Sequence, residues 1–349
     1  MRNIAELDEN FKVGTAIARE GMKLFDAEKA PFSIHGVFRE GEKFRRLPES
    51  VAKTVNNGVL GLHANTAGGR LRFRTDSPYV AIIAKMGSLG KMSHFTYTGA
   101  IGFDLYADNR YVGSFIPPHG ITDGYESILN LGERTSREIT INFPLYSEVE
   151  KLVIGLDGDA VIEAPTPYKT EKPVVFYGSS ITQGGCASRP GTCYQSIVSR
   201  RFDFDFINLG FSGNAKGEDN IADYIASLDM SAFVYDYDHN APTVEHLAKT
   251  HERMFLKIRA KNSTLPIIMM SRPKHFLTAD EQRRLEIIRA TYNNAIRAGD
   301  KNVYLLDGAA LTALSGNEGT VDNCHPTDFG FASMAKALGD LMEEQGILN

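Results

Sequence analysis

The pattern of apolar and polar positions along the chain changes near residue 170. Before it, β-branched and aromatic runs are short and are separated by turn signals such as 57-NG-58 and 108-DN-109. The predicted strands are Leu71–Thr75, Tyr79–Lys85, Gly102–Ala107, Tyr111–Ile116, Glu138–Asn142 and Lys151–Leu156. Strands at this spacing, with few helical stretches between them, predict a β-sandwich of jelly-roll-like kind for residues 1–165. Residues 1–30 are predicted to form a leading helix or strap.

After residue 172, strand-like and helix-like stretches alternate. The strand-like runs are 173-PVVFYG-178, 204-FDFINLG-210, 232-AFVYDYD-238, 266-PIIMMS-271 and 303-VYLLD-307. The helix-like runs are Tyr194–Arg201, Asp219–Ser227, Val244–Ala260, Ala279–Ala298 and Asp328–Glu344. Nearly continuous apolar strands that alternate with helices predict a parallel sheet covered on both faces, over residues 172–349. The proline-rich segment 165-PTPYKTEKP-173 is the predicted linker.

Length, charge and composition exclude several classes of function. The 349 residues favour two domains, and 42% hydrophobic and 23% charged residues are ordinary for a globular protein. The net charge of −5 argues against nucleic-acid binding. No apolar run reaches the roughly 18 residues of a membrane span. The charged N-terminal segment MRNIAELDENFKVG lacks the apolar core of a secretory signal, so we expect a cytoplasmic location. The oligomeric state is left open, and a homo-oligomer is compatible with the sequence.

Cysteines and short motifs indicate neither a disulfide framework nor a cofactor. The three cysteines are Cys186, Cys193 and Cys324. This odd, sparse count does not build a disulfide framework, although it leaves a Cys186–Cys193 bridge open. Cys324 precedes His325, but no CxxC or HxxxH pairing accompanies them. No P-loop or G-x-G-x-x-G follows a strand, so we expect no metal and no cofactor.

Small and polar residues collect after the predicted parallel strands. Ligands of such sheets bind outside the carboxyl ends of the strands. The candidates are Ser180 in 178-GSSIT-182, Gly213 in 208-NLGFSGNA-215, Asn240 in 236-DYDHN-240, and Asp322 and His325 in 322-DNCHPTD-328. A serine, a base to activate it, an acid to orient the base and donors for an oxyanion are the components of acyl transfer.

Taken in this order, GSSI, NLGFSG, an asparagine after the third strand and DxxH resemble the motifs of the SGNH (GDSL-type) hydrolases. The resemblance covers residues 172–349 and implies a flavodoxin-like three-layer α/β/α fold. It implies that Ser180 is the nucleophile and that Asp322 and His325 complete the triad. By the same resemblance, the Ser180 N–H, Gly213 and Asn240 form the oxyanion hole.

Two positions depart from the motifs of that family. Ser179 stands where the family usually has aspartate before the nucleophile, and the third block reads Asp-His-Asn-Ala in place of Gly-x-Asn-Asp. The first departure concerns how the loop of Ser180 is supported. The second affects how Asn240 aligns with the asparagine of the family motif.

The segment 102-GFDLYAD-108 resembles the Gly-x-Asp-Leu-Tyr signature of a β-rich domain that precedes certain SGNH esterases, and 144-PLY-146 and 44-FRRLP-48 are similar to that domain. Two-domain proteins of this type include mannan oligosaccharide acetylesterases and a few acyltransferases. The resemblance implies an esterase whose substrate is an acetylated oligosaccharide. The alternatives are an acyltransferase, a general short-chain esterase or lipase with the same triad, and a non-catalytic sugar-binding protein. Asp104 and Tyr106 are expected to hold the sandwich together.

Overall fold

The structure is a computed structural model that describes residues 17–348. Its N-terminal strands are β1 (Met22–Asp26), β2 (Ser33–His35), β3 (Phe38–Glu40), β4 (Lys43–Arg45), β5 (Arg70–Thr75), β6 (Tyr79–Met86), β7 (Phe103–Ala107), β8 (Arg110–Phe115), β9 (Gly124–Asn130), β10 (Arg137–Asn142), β11 (Val149–Asp157) and β12 (Ile162–Glu163). The helices among them are α1 (Glu49–Val55), α2 (Asn57–Leu62) and α3 (Tyr97–Ala100). The part of the predicted leading segment in residues 1–16 lies outside the described residues, and the rest of it contains strand β1 in place of a helix.

Two antiparallel sheets form the predicted sandwich. One has the strand order β1-β11-β6-β9, and the other has the order β12-β5-β10-β7-β8 with β2 paired to β5. Ile139 lies opposite Phe73 and Ile141 opposite Leu71, so inward positions coincide across β10 and β5. These side chains are fully buried and share one core with inward residues of β6 and β11. The alternation of apolar and polar positions therefore specifies which side of each strand faces the core.

The C-terminal part has the predicted alternation of strands and helices. Its strands are β13 (Thr170–Gly178), β14 (Phe204–Gly210), β15 (Ala232–Asp236), β16 (Ile267–Met270) and β17 (Val303–Leu306). Its helices are α4 (Ser180–Gln183), α5 (Tyr194–Phe202), α6 (Asp219–Ser227), α7 (Val244–Lys261), α8 (Ala279–Arg297), α9 (Gly308–Leu311) and α10 (Asp328–Glu344), with 3₁₀ turns at Pro190–Thr192 and Gly316–Gly319.

The five parallel strands have the order β14-β13-β15-β16-β17. This is the flavodoxin-like order, in which the first strand of the unit lies between the second and the third. Val174 and Phe176 face α5 and α10, whereas Val175 and Tyr177 face the side covered by α6, α7 and α8. The predicted three-layer α/β/α arrangement is confirmed.

Arg46 connects the two parts through its buried guanidinium. Its donors reach the carbonyl oxygens of Leu62 at 2.9 Å and Asn65 at 2.6 Å, and those of Asn208 at 2.9 Å and Gly210 at 2.7 Å. The last two carbonyls belong to the carboxyl end of β14. Burial lowers the pKa of Arg46 to about 9, with an opposing contribution from Tyr146. Arg46, which lies between β4 and α1, thus fixes the carboxyl end of β14 in the parallel sheet through hydrogen bonds.

Two further findings concern the membrane and the cysteines. Among the described residues, no helix combines the length and the apolar character needed to cross a bilayer. All three cysteines are free thiols, so the Cys186–Cys193 bridge that the sequence leaves open is not formed.

Candidate active site

Ser180 lies where β13 passes into the one-turn helix α4. Position 178 has no room for a side chain, because a Cβ at Gly178 would come within 1.7 Å of the Asp236 carboxylate. The Ser179 hydroxyl accepts a hydrogen bond from the Ile181 N–H at 3.2 Å and caps the helix. Ser179 therefore supports the loop at the position where related motifs have aspartate. Ser180 is 8% exposed.

A chain of two hydrogen bonds joins Ser180, His325 and Asp322. The Ser180 Oγ lies 2.9 Å from His325 Nε2, and His325 Nδ1 lies 2.7 Å from Asp322 Oδ2. Both ring nitrogens of His325 are thereby engaged, one by the hydroxyl and one by the carboxylate. The structure brings together three residues that lie up to 145 positions apart in the sequence. In this arrangement a proton can move from the serine to the imidazole while the carboxylate fixes the ring.

The loop before α10 fixes the orientation of the Asp322 carboxylate. Its Oδ1 accepts hydrogen bonds from the N–H groups of Cys324 at 3.1 Å and His325 at 2.7 Å. Asn323 has a φ of 63°, which closes the turn. Partial burial would raise the pKa of Asp322, but the hydrogen bonds from His325 and Cys324 outweigh it and hold the pKa below its usual value. Asp322 is thus ionised and aimed at Nδ1.

Gly213 and Asn240, the other two sequence candidates, lie in neighbouring loops. Gly213 has a φ of 69°, a left-handed conformation that favours glycine. Asn240 Nδ2 donates to the carbonyl oxygen of Phe211 at 2.9 Å, which leaves its second N–H for another acceptor. Within residues 17–348, the backbone N–H groups of Ser180 and Gly213 have no hydrogen-bond acceptor. Three N–H groups in this part of the chain are therefore without an acceptor.

Residues from the sandwich and from the segment after α4 contact Ser180 and His325. The hydroxyl of Tyr146, in the 144-PLY-146 motif, donates to the Ser180 carbonyl oxygen at 3.1 Å. Gly185 lies against the site, because a Cβ there would be 3.0 Å from the Tyr146 hydroxyl and 3.3 Å from His325 Cδ2. Any larger residue at position 185 would push on the imidazole.

The segment 102-GFDLYAD-108 contacts the C-terminal α/β part in addition to the sandwich. Asp104 accepts a hydrogen bond from Asn142 Nδ2 at 2.7 Å inside the sandwich, as expected. Its other oxygen accepts from the Gly191 N–H at 2.8 Å and from Arg189 Nη1 at 3.1 Å. Tyr106 also bonds Arg189, at 2.5 Å. Asp104 and Tyr106 therefore hold the segment that follows α4, which the sequence analysis did not predict.

The first residue of α10, Asp328, contacts the same segment. It accepts hydrogen bonds from the Ser188 N–H at 2.8 Å and from Thr192 Oγ1 at 2.7 Å. The cap position itself is Thr327. Asp328 thus anchors the segment between α4 and α5. The carboxylate that contacts His325 is that of Asp322.

His94 is a site residue that the sequence reasoning missed. It lies in the loop before α3, and its ring centroid is 5.9 Å from that of His325. No motif surrounds it in the sequence, so its position is visible only in three dimensions. His94, Cys186 and His325 offer ligand atoms within 4.8 Å of one another and could hold a metal ion. Such an ion would have to displace Ser180 or Asp322 from a ring nitrogen of His325.

Two titratable groups with shifted pKa values, Asp236 and His239, lie at and just after the end of β15. Burial raises the pKa of Asp236 to about 7, against the opposing hydrogen bond from Thr182. Its Oδ1 accepts from the Ser179 N–H at 3.4 Å. Burial lowers the pKa of His239 to about 4, and its Nδ1 lies 3.8 Å from Cys324 Sγ. His239 is therefore neutral and packs beneath the loop that carries His325.

Comparisons with known proteins match both parts of the chain. A model of the GDSL-like lipase/acylhydrolase family matches residues 171–343, and the GxDLY N-terminus of Esterase_SGNH_hydro-type matches residues 22–162. A Bacteroides ovatus protein that bears the name GDSL-like lipase is 30% identical, with a TM-score of 0.82 over 93% of this chain and 98% of that chain.

Two other solved structures share the fold at lower identity. A salicylyl-acyltransferase from a tetracycline biosynthetic pathway is 18% identical, with a TM-score of 0.76 over 95% of this chain and 99% of that chain. A family two carbohydrate esterase from Clostridium thermocellum is 12% identical, with a TM-score of 0.61 over 91% of this chain and all of that chain (100%). No curated protein sequence matches the chain.

Proposed function

The chain belongs to the GDSL-like lipase/acylhydrolase family and carries a GxDLY domain ahead of its hydrolase domain, and we propose that it is a serine esterase that removes acetyl groups from acetylated carbohydrates. Mannan-type oligosaccharides are the proposed substrates. The observation that carries the proposal is the hydrogen-bonded chain from Ser180 through His325 to Asp322. A carboxylate, an imidazole and a hydroxyl in this order activate serine for acyl transfer.

In the proposed mechanism, Ser180 Oγ attacks the acetyl carbonyl carbon while His325 Nε2 takes the hydroxyl proton. The Asp322 carboxylate accepts the Nδ1–H and stabilises the imidazolium. The tetrahedral intermediate collapses when His325 returns the proton to the sugar oxygen, which leaves as an alcohol. Water then attacks the acetyl-enzyme by the same route, which releases acetate and restores the serine.

The negative charge of the tetrahedral oxygen needs donors that are already in place. We propose the N–H groups of Ser180 and Gly213 and the free N–H of Asn240 Nδ2. Removal of one such donor typically costs about 3–4 kcal/mol in transition-state stabilisation. The backbone donors require no side-chain reorganisation, because α4 and the left-handed Gly213 fix them.

The loop that carries His94 supports a hydroxylated substrate over a long acyl chain. The loop of His94 lines a cavity of about 420 Å³ whose residues are Lys91, Met92, Ser93, Phe95, Thr96, Tyr97 and His119. The rings of Tyr97 and His119 stack with centroids 5.8 Å apart. An aromatic surface among polar groups can cover the apolar face of a sugar ring, which tryptophan often does in other proteins. This chain has no tryptophan.

We also propose that the chain consists of two domains, residues 1–165 and residues 172–349. The separate family matches to residues 22–162 and 171–343 support it. The expected cytoplasmic location stays a prediction from the sequence.

The first test of the chemistry is the pair Ser180→Ala and Ser179→Ala on an aryl acetate. Loss of a triad nucleophile costs on the order of 10⁶ in kcat, so Ser180→Ala should be inactive. Ser179→Ala removes only the cap of α4 and should retain most activity. The assignment is wrong if Ser180→Ala keeps more than about a hundredth of wild-type kcat while Ser179→Ala is inactive.

The substrate is tested separately, by kcat/KM on acetylated manno- and xylo-oligosaccharides and on p-nitrophenyl esters of increasing chain length. We expect the acetylated manno-oligosaccharides to be the best substrates. A clear preference for acyl chains of about eight carbons or more would favour a lipase, because each buried methylene adds roughly 0.8 kcal/mol of binding.

Acyl transfer is the second candidate. The fold shared with a salicylyl-acyltransferase over 95% of this chain keeps it open, and both reactions pass through the same acyl-enzyme. Product analysis with excess unacetylated oligosaccharide separates them. A new acetylated oligosaccharide in place of free acetate would establish transfer.

A further inference from the structure

A second cavity lies between the sandwich, the linker and α5. It has a volume of about 410 Å³, within the roughly 300–1,000 Å³ of small-molecule sites. Phe206, in the first half of β14, forms part of its wall. Ser180 follows the carboxyl end of β13, so this cavity is at the opposite edge of the parallel sheet. It is separate from the proposed active site.

Arg72 in this cavity is buried, and its guanidinium makes no ion pair within residues 17–348. The residue is 8% exposed, and its Nη1 is buried without an acceptor. In the described part of the chain, its guanidinium pairs with no carboxylate. Its Cζ lies 3.9 Å from the centroid of the Tyr168 ring. The stacking fixes the plane of the guanidinium, and its edge remains free to donate.

Arg200 presents a second guanidinium to the same space. Its Cζ lies 4.1 Å from the centroid of the Tyr106 ring, and its Nη2 donates to the Gly191 carbonyl oxygen at 2.7 Å. No carboxylate within residues 17–348 forms an ion pair with it. A third arginine of the wall, Arg70, is paired with Asp205. Two cations thus face the cavity without an ion pair of their own, an arrangement that an anion between them would stabilise.

The acidic residues of the wall lie nearer to solvent and are already engaged. Asp108 and Asp203 are exposed, and each accepts a backbone N–H, that of Glu138 at 2.9 Å and that of Lys169 at 3.2 Å. Glu138 accepts from the Thr166 hydroxyl at 2.6 Å. The cavity therefore has a cationic interior and a polar, acidic rim.

We propose that this cavity binds a small hydroxylated oxyanion, with its carboxylate or phosphate held between Arg72 and Arg200. Planar guanidinium edges match the paired oxygens of both groups. Thr140 and Asn109 also line the wall and offer a hydroxyl and an amide to the neutral part of such a ligand. Because Arg72 is stacked and buried before the ligand arrives, little side-chain freedom is lost on binding.

The test is calorimetric titration of the full chain with inorganic phosphate, glucuronate and neutral glucose. We expect binding of phosphate, of glucuronate or of both, and no binding of glucose. A preference for phosphate or for glucuronate shows whether the natural ligand carries a phosphate or a carboxylate. Arg72→Met should weaken binding by about tenfold or more, the usual effect of losing charge-assisted hydrogen bonds.

Arg74→Met is the matched control. Arg74 lies two positions along the same strand, but its guanidinium is paired with Glu163 at 2.9 Å and with Glu138 at 3.6 Å. Its loss should leave anion affinity unchanged. If Arg72→Met does not fold, as judged by circular dichroism, Arg200→Gln makes the same test.

The proposal is overturned if neither anion binds at concentrations of about 10 mM, if glucose binds as tightly as glucuronate, or if Arg72→Met and Arg200→Gln bind the anion as tightly as the wild type does. Arg72→Met should keep wild-type kcat on an aryl acetate, because the cavity is remote from Ser180. Failure of this site would therefore leave the esterase proposal intact.

Discussion

Replacement of Asp104 by alanine should reduce both stability and activity, because its carboxylate joins the two parts of the chain. The side chain is fully buried and accepts hydrogen bonds from Asn142, Gly191 and Arg189. Asp104→Ala leaves three donors without an acceptor. The segment of Arg189 and Gly191 follows Gly185, which lies against His325. Loss of the carboxylate therefore loosens a wall of the active site.

The magnitude follows from the surroundings of each donor. Breaking a buried ion pair by removing one partner costs about 3–5 kcal/mol. The Arg189 side chain is 20% exposed and can turn towards water, which reduces that cost. Burial also raises the pKa of Asp104 despite its hydrogen bonds, which means that the folded protein bears a cost for desolvating this carboxylate. The alanine variant no longer bears that cost, so its net loss of stability is smaller. We expect a loss of about 3 kcal/mol in the free energy of unfolding, or roughly 4 °C in Tm for a chain of this length.

Thermal unfolding by circular dichroism and kcat on an aryl acetate measure the two effects. We expect kcat to fall about tenfold, since small displacements of catalytic groups are costly. Asp108→Ala is the control, because that exposed side chain accepts a single backbone hydrogen bond from the same strand pair. A Tm of Asp104→Ala within about 2 °C of the wild type, or full activity, would refute the reasoning.

Three further outcomes are expected. His325→Ala should be nearly as inactive as Ser180→Ala, whereas Asp322→Asn should retain more activity, because it loses only orientation and charge stabilisation, a cost of roughly 10⁴ in kcat. A higher kcat for His325→Ala than for Asp322→Asn would contradict these roles. Because burial raises the pKa of Asp236 to about 7, the folded state holds a proton that the unfolded state releases near pH 4. Its contribution to stability is present at low pH and is lost as the pH rises to about 7. Urea midpoints should therefore fall less for Asp236→Asn than for the wild type between about pH 5 and about pH 8. An equal fall in both proteins would show that Asp236 does not titrate in this range. Dialysis against EDTA should leave the esterase activity unchanged, and activity restored only by added metal would exclude the serine mechanism.

Much of the hydrolase fold could be predicted because its physical signals are local. Fully buried parallel strands have continuous runs of apolar residues, which made them recognisable. The bounds predicted for two helices, Asp219–Ser227 and Asp328–Glu344, are those of α6 and α10. In the sandwich, β9 was not predicted. Its buried positions include Ser127, so the alternation of apolar residues is broken there.

The remaining features depend on contacts between distant positions. Nothing in the sequence around His94 distinguishes it from an ordinary surface histidine, and only folding brings it near His325. The partners of Asp104 outside the sandwich lie 85 and 87 positions away, in a segment without a recognisable motif. From the sequence alone, Arg72 would be placed on the solvent-exposed face of its strand. The alternation of apolar and polar residues cannot distinguish a face exposed to solvent from one covered by α5 and the linker.

Arg46 limits how freely the two parts could be exchanged between proteins. Its guanidinium satisfies carbonyl groups on both sides of the junction, including two at the end of β14. A hydrolase part expressed alone would have to find water or new donors for those carbonyls beside the loop of Gly213. A chimaera that joins this hydrolase part to another sandwich would need an arginine at the equivalent place. The two parts should therefore have been inherited together, as one evolutionary unit, despite their separate folds.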